Sequence, residues 1–165
     1  MPGDAFEKSD ASQHAQYSFP YHYIPQYDGQ DFSQAMYWSW GYRYMGGVLS
    51  VIECLREFSF DSLVDVGCGD GRLLREIHGE FGDSKRLLGV DVDEQAIGLA
   101  ASLNPEVEFA CADVTGDALD AREPFDVVTL VEVLEHIPPE GLNGFISGFA
   151  ELQEPGGRLV VTVPH

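Results

Sequence analysis

The sequence predicts an α/β fold, a doubly wound and mostly parallel sheet in three layers. Three observations carry that prediction. From Leu63 onward, short runs of Val, Leu and Ile alternate with segments of helical period. The runs are apolar on both faces, as strands of a parallel sheet covered on both sides must be. The first run also feeds directly into a glycine-rich turn, Gly67-Cys68-Gly69-Asp70-Gly71, with a helical pattern opening just past it.

Residues 1–16 are polar and aperiodic, which predicts a disordered tail. Residues 17–58 form an aromatic-rich stretch that predicts a lid followed by a helix. It runs from Tyr17 and Phe19 to Trp38, Trp40, Tyr42 and Tyr44. Pro20, Pro25 and Gly29 make its first half loop, and Val48, Ile52, Leu55 and Phe58 then recur at helical spacing from about Gly47. So many aromatics must be buried, either packed on the core or lining a cleft. Residues 59–165 form the sheet domain. Its strands are expected at 63–66, 87–91, 107–111, 125–131 and 158–163. Helices are expected at about 71–81, at 93–103 with a stop at Asn104-Pro105, and at 139–153. In the last, Leu142, Phe145, Ile146, Phe149 and Leu152 form one stripe.

The 165 residues suit one domain with a sizeable core. Nine basic against 28 acidic residues leave a formal charge of −19, which repels phosphate backbones and argues against nucleic acid as a partner. No apolar run is long enough to span a membrane, and the N-terminus lacks the pattern of a signal peptide. Cys54, Cys68 and Cys111 are odd in number and have no CxxC spacing, which predicts reduced thiols and a cytoplasmic protein.

In an open α/β sheet the ligand lies beyond the carboxyl ends of the strands. Here those ends carry Gly67 and Gly69, then Asp91, then Asp113, then Glu132. The glycines let backbone approach a bulky ligand, and a carboxylate at Asp91 can accept the hydroxyls of a ribose. The turn alone could be purely conformational, and the acids merely solvated strand ends. Together they point to an adenosine-containing ligand. A dinucleotide is disfavoured, because its GxGxxG fingerprint needs glycine at position 72 and this chain has Arg72. Asp70 would also set negative charge beside a pyrophosphate.

Five segments in order, DVGCGDG (65–71), GVDVDEQAI (89–97), CADV (111–114), FDVVTLVEVLEHI (125–137) and LQEPGGRLVVTVP (152–164), resemble the class I S-adenosylmethionine-dependent methyltransferases. The resemblance covers residues 37–165 and implies a Rossmann-like fold and S-adenosylmethionine as methyl donor. It implies that Gly67 and Gly69 admit the methionine part of the donor. Asp65 would orient the turn and receive the donor's amino group. Asp91 would take the ribose hydroxyls, Val92 would pack on the adenine, and Asp113, with the Ala112 backbone nearby, would accept the adenine amino group. The acceptor is expected to be a small molecule, with oxygen favoured.

Glu132, Glu135 and His136 fall at i, i+3 and i+4, so one helical turn would place them on a common face. Two carboxylates and an imidazole could hold a divalent metal. The segment resembles the metal-binding stretch of small-RNA 2′-O-methyltransferases and of some quinone-biosynthesis O-methyltransferases. Without a metal, His136 and Glu132 are the candidates for a proton-accepting or acceptor-binding role. Two further readings remain, a metal-dependent RNA 2′-O-methyltransferase and a non-catalytic cofactor-binding subunit. Tyr42, Arg43 and Tyr44 are expected near the cleft mouth, where Arg43 could meet the donor's carboxylate. The family's fold has two more strands after the fifth, so the sequence predicts a sheet truncated there. That would leave the fifth strand an exposed edge able to pair with another chain.

Overall fold

A computed structural model describes residues 26–27, 29–33, 38–116, 119 and 123–163. The expected tail and most of the aromatic stretch before Trp38 lie outside the described residues. Within that stretch, Gln26–Tyr27 (β1) and Phe32–Ser33 (β2) pair antiparallel, where the sequence predicts loop.

The main sheet has five parallel strands in the order β5-β4-β3-β6-β7. Its members are β3 (Ser62–Val66), β4 (Arg86–Asp91), β5 (Glu108–Cys111), β6 (Phe125–Val131) and β7 (Gln153–Thr162). β3 is central and buried along its whole length. Successive residues face opposite layers. Leu63 and Val127 belong to one apolar cluster, while Val64, Val66, Val128 and Leu130 belong to the other.

Helix α1 (Trp38–Arg56) and α2 (Arg72–Phe81) cover the first face through Val48, Val51, Ile52, Leu55, Leu73, Leu74 and Ile77. Helix α4 (Leu142–Glu151) covers the second through Phe145 and Phe149. Ile146, expected in that stripe, faces solvent. Helix α3 (Glu94–Leu103) packs beside β4 and β5, with Ala96 and Ala100 buried. Asp93 caps α3, its Oδ1 accepting from the N–H groups of Gln95 (2.8 Å) and Ala96 (3.1 Å).

Three bounds differ from the sequence expectation by three residues or more. α1 begins nine residues before Gly47, at Trp38. α4 begins at Leu142, past Pro139. β7 begins at Gln153 and carries Pro155 within it, which an edge strand tolerates because one side of its backbone is unpaired.

The Arg56–Glu80 ion pair (2.8 Å) joins the C-terminal ends of α1 and α2 at the amino edge of the strands. Nineteen residues of α1 rise about 28 Å, against roughly 17 Å for the five of β3. The N-terminal turns of α1 therefore reach past the carboxyl edge of the sheet, where the ligand of such a fold sits.

Candidate functional site

The turn after β3 is built on glycine. Gly67, Gly69 and Gly71 have φ of 77°, 54° and 75°, in the left-handed region that side chains avoid. The N–H groups of Gly67 (2.7 Å) and Cys68 (3.0 Å) both donate to the carbonyl of Val90, so the turn is tied to the end of β4. The Gly69 N–H donates to Asp91 Oδ2 (2.9 Å), and the Asp93 N–H donates to Asp91 Oδ1 (2.9 Å). Asp91 thus fixes the glycine turn and the start of α3 at once. Burial raises its pKa, and those N–H groups partly oppose the rise.

Asp65 lies beneath the turn, 2% exposed. It accepts a hydrogen bond from Thr129 Oγ1 (2.6 Å). Burial pushes its pKa to about 7; the Thr129 hydroxyl opposes this and the Asp91 charge adds to it. Cys68 is buried, and burial with the Asp65, Asp91 and Asp70 charges raises its thiol well above the ordinary range, which favours the protonated form. Asn104, 1% exposed, donates through Nδ2 to the carbonyls of Ala100 (3.0 Å) and Asp70 (3.4 Å), bracing the turn from below.

The sequence-predicted donor residues therefore gather in part. Asp65, Gly67, Gly69 and Asp91 converge, and the Ala112 N–H joins them by donating to the Asp91 carbonyl (2.9 Å). Val92 is 70% exposed at the tip of β4, an apolar surface beside the turn. Asp113 stands at the next tip, but its Oδ1 accepts from the N–H (2.8 Å) and hydroxyl (2.7 Å) of Thr115. In this structure that carboxylate caps its own loop.

The reading of Glu132, Glu135 and His136 as one helical face is corrected. Glu132 has φ of 56°, the one positive value among described non-glycine residues. Leu134–His136 is a 3-10 turn that begins after it. The helical spacing rule does not extend across a left-handed residue. Glu132 instead pairs with Thr162: its Oε1 accepts from Thr162 Oγ1 (3.0 Å), and its N–H lies 3.2 Å from both Thr162 Oγ1 and the Thr162 carbonyl. His136 Nε2 approaches Glu135 Oε1 only to 3.9 Å. Among the described residues, no three carboxylate, imidazole or thiol groups converge on a metal-sized site.

Val133 packs against Gly67, which joins this rim to the glycine turn. Tyr42 and Arg43 are exposed on α1, while Tyr44 packs partly on the core. Three consecutive helical positions point about 100° apart, so they cannot share one direction. A cavity of about 320 Å³ lies at the opposite, amino edge, lined by Phe58, Asp126 and Arg158 among others. It lies away from the turn and its acids.

Sequence reasoning missed Thr129, Asn104 and Thr162. Thr129 and Thr162 carried a signal, each a lone hydroxyl inside an apolar run expected to be a strand; Asn104 carried none beyond its place before Pro105.

A family model described as a methyltransferase domain matches residues 63–157. The ubiquinone biosynthesis O-methyltransferase of Ralstonia nicotianae is 36% identical over 107 residues, 62% of this chain and 43% of that protein. The enzyme of the same name from Paraburkholderia xenovorans is 34% identical over 113 residues, 66% of this chain and 47% of its own length. The chain thus spans under half the length of these curated relatives. Among solved structures, the N-methyltransferase NodS from Bradyrhizobium japonicum WM9 superposes with a TM-score of 0.60 at 21% identity, covering 73% of this chain and 67% of that one. DesVI from Streptomyces venezuelae superposes at 0.61 with 28% identity, over 74% of this chain and 52% of its own.

Proposed function

The chain belongs to the methyltransferase-domain family, and from that membership we propose that it binds S-adenosylmethionine and methylates a small-molecule acceptor, by preference at oxygen. The observation that carries this is the junction of Gly67, Gly69 and Asp91. A turn without side chains at Gly67 and Gly69 is tied to a carboxylate whose own lone pairs are not exhausted by two N–H donors.

The residues fit the donor. Gly67 and Gly69 would admit its methionine part, Asp65 would orient the turn and meet the amino group, and Asp91 would accept the ribose hydroxyls. Val92 would cover the adenine. Asp113, with the Ala112 backbone, would reach the adenine amino group once its carboxylate leaves Thr115. The donor supplies a methyl group on a positively charged sulfur, transferred in line to a nucleophile about 3 Å away. This chain's task is alignment, exclusion of water and removal of the acceptor's proton. Glu132 and His136, on the rim beyond β6, would take the last task. No step is derived through a metal, because the three candidate ligands do not converge.

The preference for oxygen rests on those two groups and on the O-methyltransferase names of the relatives. The charge of −19 supports a small molecule over nucleic acid, and no described helix is long and apolar enough to cross a membrane. The cysteines, free among the described residues, support a cytoplasmic setting. Residues 59–165 act as the donor-binding unit, and the overhanging start of α1 as part of its lid.

Titration calorimetry with S-adenosylhomocysteine, S-adenosylmethionine and NAD tests the proposal. The first two should bind, and Asp91→Ala should weaken them by about 1–3 kcal/mol, the scale of lost charged hydrogen bonds. Preferential binding of NAD would refute the assignment. Binding of the donor without methyl transfer to any of a broad set of phenols, amines and thiols would make the chain a cofactor-binding subunit.

A further inference from the structure

Asp65 is the one buried acid among the described residues, and Thr129 is fully buried beside it. Parallel register sets Asp65 between Gly89 of β4 and Thr129 of β6, with Val160 of β7 beyond Thr129. Side chains alternate along β3, so Asp65 shares the face of Leu63, which α1 and α2 cover. α2 brings Leu73, Leu74 and Ile77 to that face, none of them titratable. α1 brings Val48, Val51 and the half-buried Tyr44. The other titratable groups around Asp65 are Asp91 at the end of β4 and Cys68 in the turn. No described cation forms an ion pair with it.

Thr129 Oγ1 lies between two acceptors, Asp65 Oδ1 at 2.6 Å and the Val64 carbonyl at 3.4 Å. A hydroxyl has one proton to give and lone pairs to receive another. With Asp65 ionised, the Thr129 proton points at Oδ1, and the distance is that of a hydrogen bond to a charged oxygen. With Asp65 protonated, the carboxyl donates to Oγ1, and the Thr129 proton turns to the Val64 carbonyl. Rotation of one hydroxyl therefore keeps both groups partnered in either charge state. Valine, which precedes Thr129 at positions 127 and 128, would fill the same space and serve neither state.

This pair lies under the glycine turn. Gly67 follows Asp65 by two residues, and Asp91, which accepts from the Gly69 N–H, is the charge that bears on Asp65. Burial holds the Asp65 pKa at about 7, so both states are populated near neutral pH.

We propose that Thr129 is a positioning residue that lets Asp65 release its proton to solvent when the cationic methyl donor settles on the glycine turn. This rests on the functional reading above and deepens it, adding a residue of β6 and a proton to the binding step. It requires a positive ligand near the turn and no particular aim of the carboxylate, because the negative charge appears beneath the turn whichever oxygen carries it. Affinity for the methyl donor then rises with pH up to the Asp65 midpoint and levels off above it.

The test follows the Asp65 carboxyl carbon by NMR from pH 5 to pH 9 in the full chain and its Thr129→Val and Thr129→Ser variants. Calorimetric titration of S-adenosylmethionine into these and Asp65→Asn runs alongside, from pH 5.5 to pH 7, where the ligand's own ammonium largely keeps its proton. In the parent, affinity should rise about tenfold across that range. Thr129→Val should raise the Asp65 midpoint by roughly one pH unit, the effect of losing a hydrogen bond to a charged group, and weaken binding at pH 7 about fivefold. Thr129→Ser should restore both. Asp65→Asn should bind without the rise, and a rise that persists there would overturn the coupling even where Thr129→Val fails to fold. An Asp65 midpoint unmoved in folded Thr129→Val would remove Thr129 from the role. Affinity in the parent that ignores pH while Asp65 titrates would show that the proton is not linked to the ligand. Failure of the parent to bind S-adenosylmethionine at any pH would instead overturn the functional reading on which the proposal stands.

Discussion

The Cβ that Gly67 lacks would stand 2.5 Å from Cγ2 of Val133. The two turns that flank the proposed donor site, one after β3 and one after β6, are thus in contact through a missing side chain. Gly67→Ala meets two penalties, since its φ of 77° is strained for alanine and the new methyl collides with Val133. The variant should lose about 1–3 kcal/mol of stability by thermal melting, and its affinity for S-adenosylhomocysteine should fall with it. Val133→Ala in the same chain should restore part of the stability by removing the collision while leaving the strain. A Gly67→Ala chain as stable as its parent would show that the turns do not touch.

Much of this arrangement was legible in the sequence, for identifiable reasons. β3 and β6 are buried on both faces, so their runs are apolar without interruption, and their bounds were read to within one residue. The glycine turn and Asp91 were legible because backbone conformation and strand-end position are local. The start of α1 was not, because Gly41, Gly46 and Gly47 dilute the helical pattern. β7 began earlier than read because Pro155 and Gly156 look like a turn until the strand is known to be an edge. Glu132 was misread because a spacing rule assumes one regular helix. Asp65 and Thr129 are 64 positions apart, and nothing short of the strand register brings them together.

Gly148 shows the same close approach on the other face. A Cβ there would overlap the carbonyl oxygen of Val114, backbone that cannot rotate aside. α4 therefore lies directly on the loop that carries Asp113 and Thr115. Gly148→Ala should push that loop outward and cost about 1–3 kcal/mol, with reduced donor affinity as a second effect. Gly144, on the same helix with open space around its Cβ position, provides the control. Gly144→Ala should be neutral or stabilising, since alanine favours helix. Equal melting temperatures for the two variants would count against the contact.

β7 pairs only with β6 in the described sheet, and Leu159, Val161 and Val163 present a partly exposed apolar row along one face. An edge strand of this kind favours pairing with another chain, against the general repulsion of a charge of −19. The apparent mass by light scattering should rise with protein concentration and with salt, which screens the repulsion. Val161→Lys should suppress the rise and leave S-adenosylhomocysteine binding in place. A chain that remains monomeric in high salt would show that this edge is not adhesive.

Asp65 gives the site a pH dependence whose sign is fixed. Its folded pKa, about 7, lies above the unfolded value of about 3.9. The folded chain therefore holds this proton more tightly, and the associated stability is present in full below pH 4 and is lost as pH rises through 7. Between pH 5 and pH 8 the contribution is on the order of 2 kcal/mol. Burial raises the Asp91 pKa as well, so both acids act in one direction. Asp126 acts in the other: the N–H groups of Asp61 and Ser62 lower its pKa, so its contribution is lost only on strong acidification. Asp65→Asn keeps an oxygen for the Thr129 hydroxyl and removes the titration, so the stability profile from pH 5 to pH 8 should flatten. Binding of the donor adds a second readout. A cationic amino group beside Asp65 would favour its ionised form, so titrations at pH 7 in two buffers of different ionisation enthalpy should reveal release of roughly half a proton. Asp65→Asn should abolish the release. Binding with no proton released would mean that Asp65 stays protonated beneath the turn, orients it through Thr129, and never meets the donor's amino group.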